Sequence, residues 1–274
     1  TDEVRIERLS VLEEIEGSLY FLTTSIWDAV PQIHCDLAEA IAQGATSRPE
    51  FPPIVRYRTW IGGDRDGNPL VTPEMTSQSL QMHRKAAINL YLERLSHLTG
   101  LLSLSERRIA IPPELTASVQ PGQLADIVPE DSMARLRHEP FRLKLIEMRR
   151  RLAAAVSDPD SYGVRSLERD LELIADSLRR MKLGELVESS GLADLLLKIK
   201  AFGFHLAALD IRQHSSVHEQ VVAELLAHRG ACSDYSSLTE ADKAEVLAGA
   251  FSEPTFSVPP PHQRSAQSRN VLEV

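Results

Sequence analysis

Apolar residues recur at steps of three and four along most of this chain, the spacing of one buried stripe on a helix, and this predicts a mostly helical fold. Leu12, Ile15, Leu19, Leu22, Ile26 and Val30 make the first stripe, which Pro31 is expected to break or kink. With IHCDLAEAIAQGA after it, helix is expected over residues 1–45. Leu80, Ala87, Tyr91, Leu95 and Leu98 mark a long helix over 73–100. Thr72, Pro73 and Glu74 open it: a capping hydroxyl, a proline at the first helical position and an acid near the positive helix end. Phe141, Leu145 and Met148, then Leu167, Leu171, Ile174 and Leu178, and finally Leu192 to Ile199 place helices within 138–200. Helix resumes over 217–250. Residues 103–129, richer in proline and polar groups, read as a connector, and 252–274, with Pro254 and Pro259 to Pro261, as an irregular tail.

Only two stretches read as strands. IVRYRTW, rich in β-branched and aromatic residues, runs into a glycine-rich loop, giving a strand and loop over 54–69. In AFGFHLAALDIRQHSS the apolar residues are nearly continuous, as in a strand covered on both faces, and a second strand is expected over 203–211. Two strands among so many helices is an odd ratio for a complete α/β domain, so the chain is expected to be a piece of a larger one.

The 274 residues, 43% of them hydrophobic, suffice to bury a substantial core. A formal charge of −9 repels phosphate backbones and disfavours nucleic-acid binding. Cys35 and Cys232 are far apart and match neither a metal-ligand spacing nor a disulfide framework, which fits a reducing compartment. With neither a signal-peptide pattern nor an apolar run near the ~20 residues of a membrane span, a cytoplasmic location and no membrane partner are expected.

The loop WIGGDRDGNP, residues 60–69, fails several motif tests by spacing. It is neither a dinucleotide loop nor a phosphate-cradling loop with its Lys and hydroxyl. Asp64, Asp66 and Asn68 begin a calcium-loop pattern, but Pro69 stands where glycine is needed and Met75 where the bidentate glutamate belongs. What remains is a tight backbone path through Gly62, Gly63 and Gly67 that holds Asp64, Arg65, Asp66 and Asn68 beside the Trp60 indole. Alone, it reads as an internally paired turn. At the end of the second strand, Asp210, Arg212 and Gln213 occupy the kind of place where parallel barrels gather catalytic groups. Arg212 is a charged fork suited to phosphate or carboxylate, and an ion pair with Asp210 or another acid fits the sequence equally. His214 and His218 could share a helix face, but no third ligand follows at a suitable spacing, so no metal site is expected here.

WIGGDRDGNP with Val71 and Thr72, together with FGFHLAALDIRQHS at 202–215, resembles two signature stretches of phosphoenolpyruvate carboxylase. Softer matches are SIWDAVP at 25–31, HEPFRLKLIEMRRRL at 138–152 and LADLLLKIKAFG at 192–203. The resemblance implies a predominantly α-helical chain with a few parallel strands, part of an α/β-barrel enzyme built on eight parallel strands. That enzyme, a carboxy-lyase, fixes carbon dioxide by carboxylating phosphoenolpyruvate with bicarbonate to oxaloacetate and phosphate. It uses Mg2+ or Mn2+ and forms a homo-oligomer, a tetramer in the family. By the same resemblance Arg212 contacts the substrate phosphate, and Trp60 belongs to the pocket for bicarbonate and carbon dioxide. The glycine-rich loop becomes a scaffold that aims Trp60 inward, with Asp64, Arg65 and Asp66 as its internal fasteners.

The departures matter as much. The family's A-H-P-T-E and H-G-R-G-G histidine motifs are absent, since the chain has no His-Pro and no His-Gly, and the metal-binding carboxylates are not recognisable. Residues 1–251 are therefore expected to be an internal segment, inactive in isolation, with its metal ligands elsewhere. EVLAGAFSEPTFSVPPP also departs from the family's usual charged stretch. The alternative is a non-enzymatic helical binding module derived from the same scaffold.

Overall fold

The computed structural model describes residues 9–42, 51–66, 68–119, 124, 130–252 and 258–273. In chain order it contains α1 (Val11–Phe21), a π-helical turn (Leu22–Ile26), α2 (Trp27–Ala42), β1 (Arg58–Thr59) and α3 (Pro73–Leu101). Helices α4 (Pro113–Ser118), α5 (Glu130–Leu136), α6 (Pro140–Ala154), α7 (Val164–Arg180), α8 (Glu185–Ser189) and α9 (Leu192–Phe202) follow. The chain continues through β2 (Ala208–Leu209), α10 (Ser215–His228), α11 (Glu240–Phe251) and α12 (Ala266–Leu272). It divides into two compact units, one of Gly17–Arg58 with Gln81–Ala208, the other of Thr1–Glu16, Thr59–Leu80 and Leu209–Val274.

The first unit holds the main core, and the helical spacing locates it. Ala87, Tyr91, Leu95 and Leu98 of α3 are buried, as are Phe141, Leu145 and Met148 of α6 and Leu167, Leu171, Ile174 and Leu178 of α7. Each such large side chain taken out of water is worth about 1.5–3 kcal/mol. Trp27 lies at the centre, 5.2 Å between ring centroids from both Tyr91 and Phe202. The Tyr91 hydroxyl donates to the Gly203 carbonyl at 2.7 Å, and burial pushes its pKa far up. Between α6 and α7, Asp170 accepts from the Tyr162 hydroxyl at 2.6 Å and pairs with the buried Lys144 at 3.0 Å. This clip satisfies charges that would otherwise be costly inside.

Pro31 does not end the helix. It lies inside α2, four residues after Trp27, whose carbonyl its missing N–H cannot serve. Directly ahead, the Trp27 amide reaches back five residues to the Leu22 carbonyl, so the helix widens by one residue and then continues.

Both strands are shorter than expected. The Ala208 amide donates to Tyr57 at 2.9 Å and the Asp210 amide to Thr59 at 2.8 Å, so β1 and β2 run parallel. The expected strand over 203–211 begins instead as a turn, with positive φ at Gly203 and Leu206. Phe204, Leu206 and Ala207 are buried all the same, which is why the run is continuously apolar. A buried turn and a buried strand leave the same apolar trace.

In the second unit, residues 266–272 form α12 where an irregular tail was expected. Its ties are polar, invisible to an apolar-period reading: Ser265 caps it through the Ser268 amide, and Glu224 of α10 accepts from the Ser265 amide at 2.8 Å and the Ser268 hydroxyl at 2.6 Å.

Candidate functional site

The site is built where the loop after β1 meets the chain leaving β2, within the second unit. The Trp60 carbonyl accepts from the Gly63 and Asp64 amides at 2.9 and 2.8 Å, folding the chain back on itself. Gly62 has φ +85, and a Cβ there would stand 2.6 Å from Ser79 Oγ. At Gly63 a Cβ would come within 2.5 Å of the Asp210 carbonyl oxygen. The two glycines thus allow a close approach that other residues would block.

That approach forms a small parallel ladder. The Arg212 amide donates to the Gly63 carbonyl at 3.0 Å, and the Arg65 amide to the Arg212 carbonyl at 2.9 Å. Asp64 and Arg212 stand side by side as a bridge. Arg212 Nε lies 3.5 Å from Asp64 Oδ1, and its Cζ 5.7 Å from the centroid of the Trp60 ring. The Arg212 side chain is 51% exposed and Trp60 56% exposed. One permanent cation, one carboxylate and one indole face are therefore gathered at the carboxyl ends of two parallel strands.

Arg65 turns the other way and is buried. Its Nη1 donates to the Asn270 carbonyl and, at 3.0 Å, to Asn270 Oδ1, while Nη2 donates to Thr76 Oγ1 at 3.3 Å. Thr76 Oγ1 in turn donates to the Gly62 carbonyl at 2.9 Å. Burial lowers the Arg65 pKa, and the Glu74 carboxylate opposes that. The loop is fastened, but through hydroxyl and amide groups outside it and not by a closed Asp-Arg-Asp set. Asp66 is exposed, its amide 3.3 Å from Asp64 Oδ1. Asn68 Oδ1 accepts from the Leu70 amide at 3.2 Å, and Gly67 lies outside the described residues. As expected, Thr72 opens α3, its hydroxyl accepting from the Met75 amide at 3.3 Å.

Thr76, Ser79 and Asn270 escaped the sequence reading. The first two had a signal, since they continue from Thr72 at helical spacing on the face that meets the loop. Asn270 had none, because it lies in the segment read as irregular. His214 caps α10, its ring nitrogen accepting from the Ser216 amide at 3.2 Å. Among the described residues no group of three or more His, Cys, Asp or Glu side chains is placed to hold a metal ion. No helix among them is long and apolar enough to cross a membrane.

A family model described as phosphoenolpyruvate carboxylase matches residues 1–274. A phosphoenolpyruvate carboxylase of Rhodothermus marinus is 41% identical, the match covering 100% of this chain and 30% of the relative. One from Roseiflexus castenholzii is 32% identical over 94% of this chain and 29% of its own length, and one from Burkholderia mallei 36% identical over 93% and 27%. The chain thus spans about 30% of the length of the curated relatives it matches.

Proposed function

Because the chain belongs to the phosphoenolpyruvate carboxylase family, we propose that it is an internal segment of an enzyme that carboxylates phosphoenolpyruvate with bicarbonate to oxaloacetate and phosphate. The observation that carries this reading is the ladder between Gly63–Arg65 and Arg212, which sets a half-exposed guanidinium against an indole. Each group suits one half of the chemistry. When a bicarbonate oxygen attacks phosphorus and the enol oxygen leaves, charge grows on the phosphoryl oxygens, and the Arg212 fork stabilises it. Trp60 gives the carbon dioxide that follows an apolar wall, keeping water from the enolate before its carbon attacks.

In this reading β1 and β2 are neighbouring strands of an eight-stranded barrel, with residues 1–251 an internal segment of its domain. A divalent cation, Mg2+ or Mn2+, would supply further electrophilic stabilisation from ligands outside this chain. The parent enzyme is a cytoplasmic homotetramer in the same reading, and the isolated chain, without the family's two histidine motifs, is inactive.

A coupled assay tests this. The full-length protein should form oxaloacetate only when phosphoenolpyruvate, bicarbonate and a divalent cation are all supplied, and the isolated chain should form none. Turnover by the isolated chain would sink the segment reading. No turnover by the full-length protein would leave the binding module derived from this scaffold.

A further inference from the structure

Asp64 does more than close its own loop. The hydrogen bonds from Arg212 to Gly63 and from Arg65 to Arg212 already join the two segments through backbone alone. The Asp64 side chain is not needed for that join. At 29% exposure and 3.5 Å from Arg212 Nε, its ion pair adds little to stability. Its effect is directional. A guanidinium can present a two-pronged edge either through Nε and one terminal nitrogen or through its two terminal nitrogens. Asp64 takes the Nε side, and the Trp60 ring lies over the guanidinium carbon. Among the described residues neither Nη group makes a hydrogen bond, so the terminal edge is the one left for an oxyanion.

We propose that Asp64 is the positioning residue of Arg212: by holding Nε it turns the two terminal nitrogens toward the substrate's phosphoryl oxygens. This rests on the reading that Arg212 binds that group.

The test is a double-mutant cycle in the full-length enzyme, with kinetics and thermal unfolding on each preparation. Asp64→Asn keeps the shape and removes the charge. It should raise KM for phosphoenolpyruvate about 10-fold, leave KM for bicarbonate and the unfolding temperature nearly unchanged, and cost almost nothing further on an Arg212→Lys background. A role confined to holding the loop would shift the unfolding temperature and carry the same cost in both backgrounds. Near-normal efficiency of Arg212→Lys alone would overturn the reading of Arg212 and the proposal with it. An impaired Arg212→Lys, with Asp64→Asn either harmless or equally costly in both backgrounds, would overturn the positioning role alone. Should Asp64→Asn fail to fold, the cycle is run with Asp64→Glu, which keeps the charge at a longer reach, under the same additivity criterion.

Discussion

The Arg212 guanidinium carbon stands 5.7 Å from the centroid of the Trp60 ring, an arrangement held by backbone hydrogen bonds on both sides of Asp64. If Trp60 lines the proposed carboxylation pocket, Trp60→Ala should affect two things together, the wall of that pocket and the face against which Arg212 rests. With the wall gone, carbon dioxide escapes before it is captured. The expected outcome in the full-length enzyme is more phosphate released than oxaloacetate formed, read by measuring both products in one assay. A ratio that stays at one would remove Trp60 from the pocket.

Arg212→Lys keeps the charge and loses the planar fork. One charge-assisted contact in a closed site is worth roughly 2–4 kcal/mol, so turnover efficiency should fall about 30-fold to 1000-fold. Thermal unfolding should hardly move, because this side chain is half exposed and outside the core. A large drop in melting temperature would make Arg212 a structural ion-pair residue.

Gly63→Ala puts a methyl group 2.5 Å from the Asp210 carbonyl oxygen, a backbone atom that cannot swing aside. The ladder to Arg212 must open or bend, at about 1–3 kcal/mol. Both stability and turnover should decline together. An alanine variant with wild-type unfolding would mean that the loop and the strand end do not meet this closely.

The loop's acids and its buried arginine should separate cleanly. Asp66→Ala removes an exposed carboxylate and should change stability by no more than about 0.5 kcal/mol, in contrast to the fastening role its sequence position suggests. Arg65→Met leaves the Asn270 and Thr76 acceptors without their donor and should cost about 1–3 kcal/mol. Equal melting temperatures for the two variants would contradict this division.

His83 is buried, its Nδ1 3.0 Å from the His205 carbonyl, and burial lowers its pKa from 6.5. His205 is lowered as well, by burial first and then by the positive charge of Arg56. The folded state thus takes up protons less readily than the unfolded chain. The corresponding stability is complete above pH 6.5 and is lost as pH falls from there toward the folded-state values. Melting temperatures of wild type and His83→Gln, followed from pH 7.5 to about pH 5, should show the variant with the flatter profile. Parallel profiles would assign the acid sensitivity elsewhere.

Helix α3 shows how far a sequence can be read. Where the helix packs on other helices, apolar spacing identifies the buried face, as at Ala87, Tyr91, Leu95 and Leu98. Near its start the same spacing nominates Leu80, which is 49% exposed, while Ser79 beside it is fully buried. The reason is steric. A helix that must approach a glycine-rich loop needs small hydroxyl side chains there, and these carry no apolar signal. The candidate site divides in the same way. Trp60, Asp64 and Arg212 were visible because their residue types and motif are unusual, whereas the partner of Arg65 was not, since pairing across distant segments leaves no local pattern.

That partner lies 205 residues further along the chain. A contact of such separation cannot form until those 205 further residues have been made. The loop leaves the ribosome long before Asn270 exists, and until then its arginine has no internal acceptor on that side. Closing so long a chain segment is entropically slow relative to forming the helices, which need only near neighbours. The order of events follows from this. The helices come first, and the strand-end loop acquires its final shape only after α12 has been synthesised.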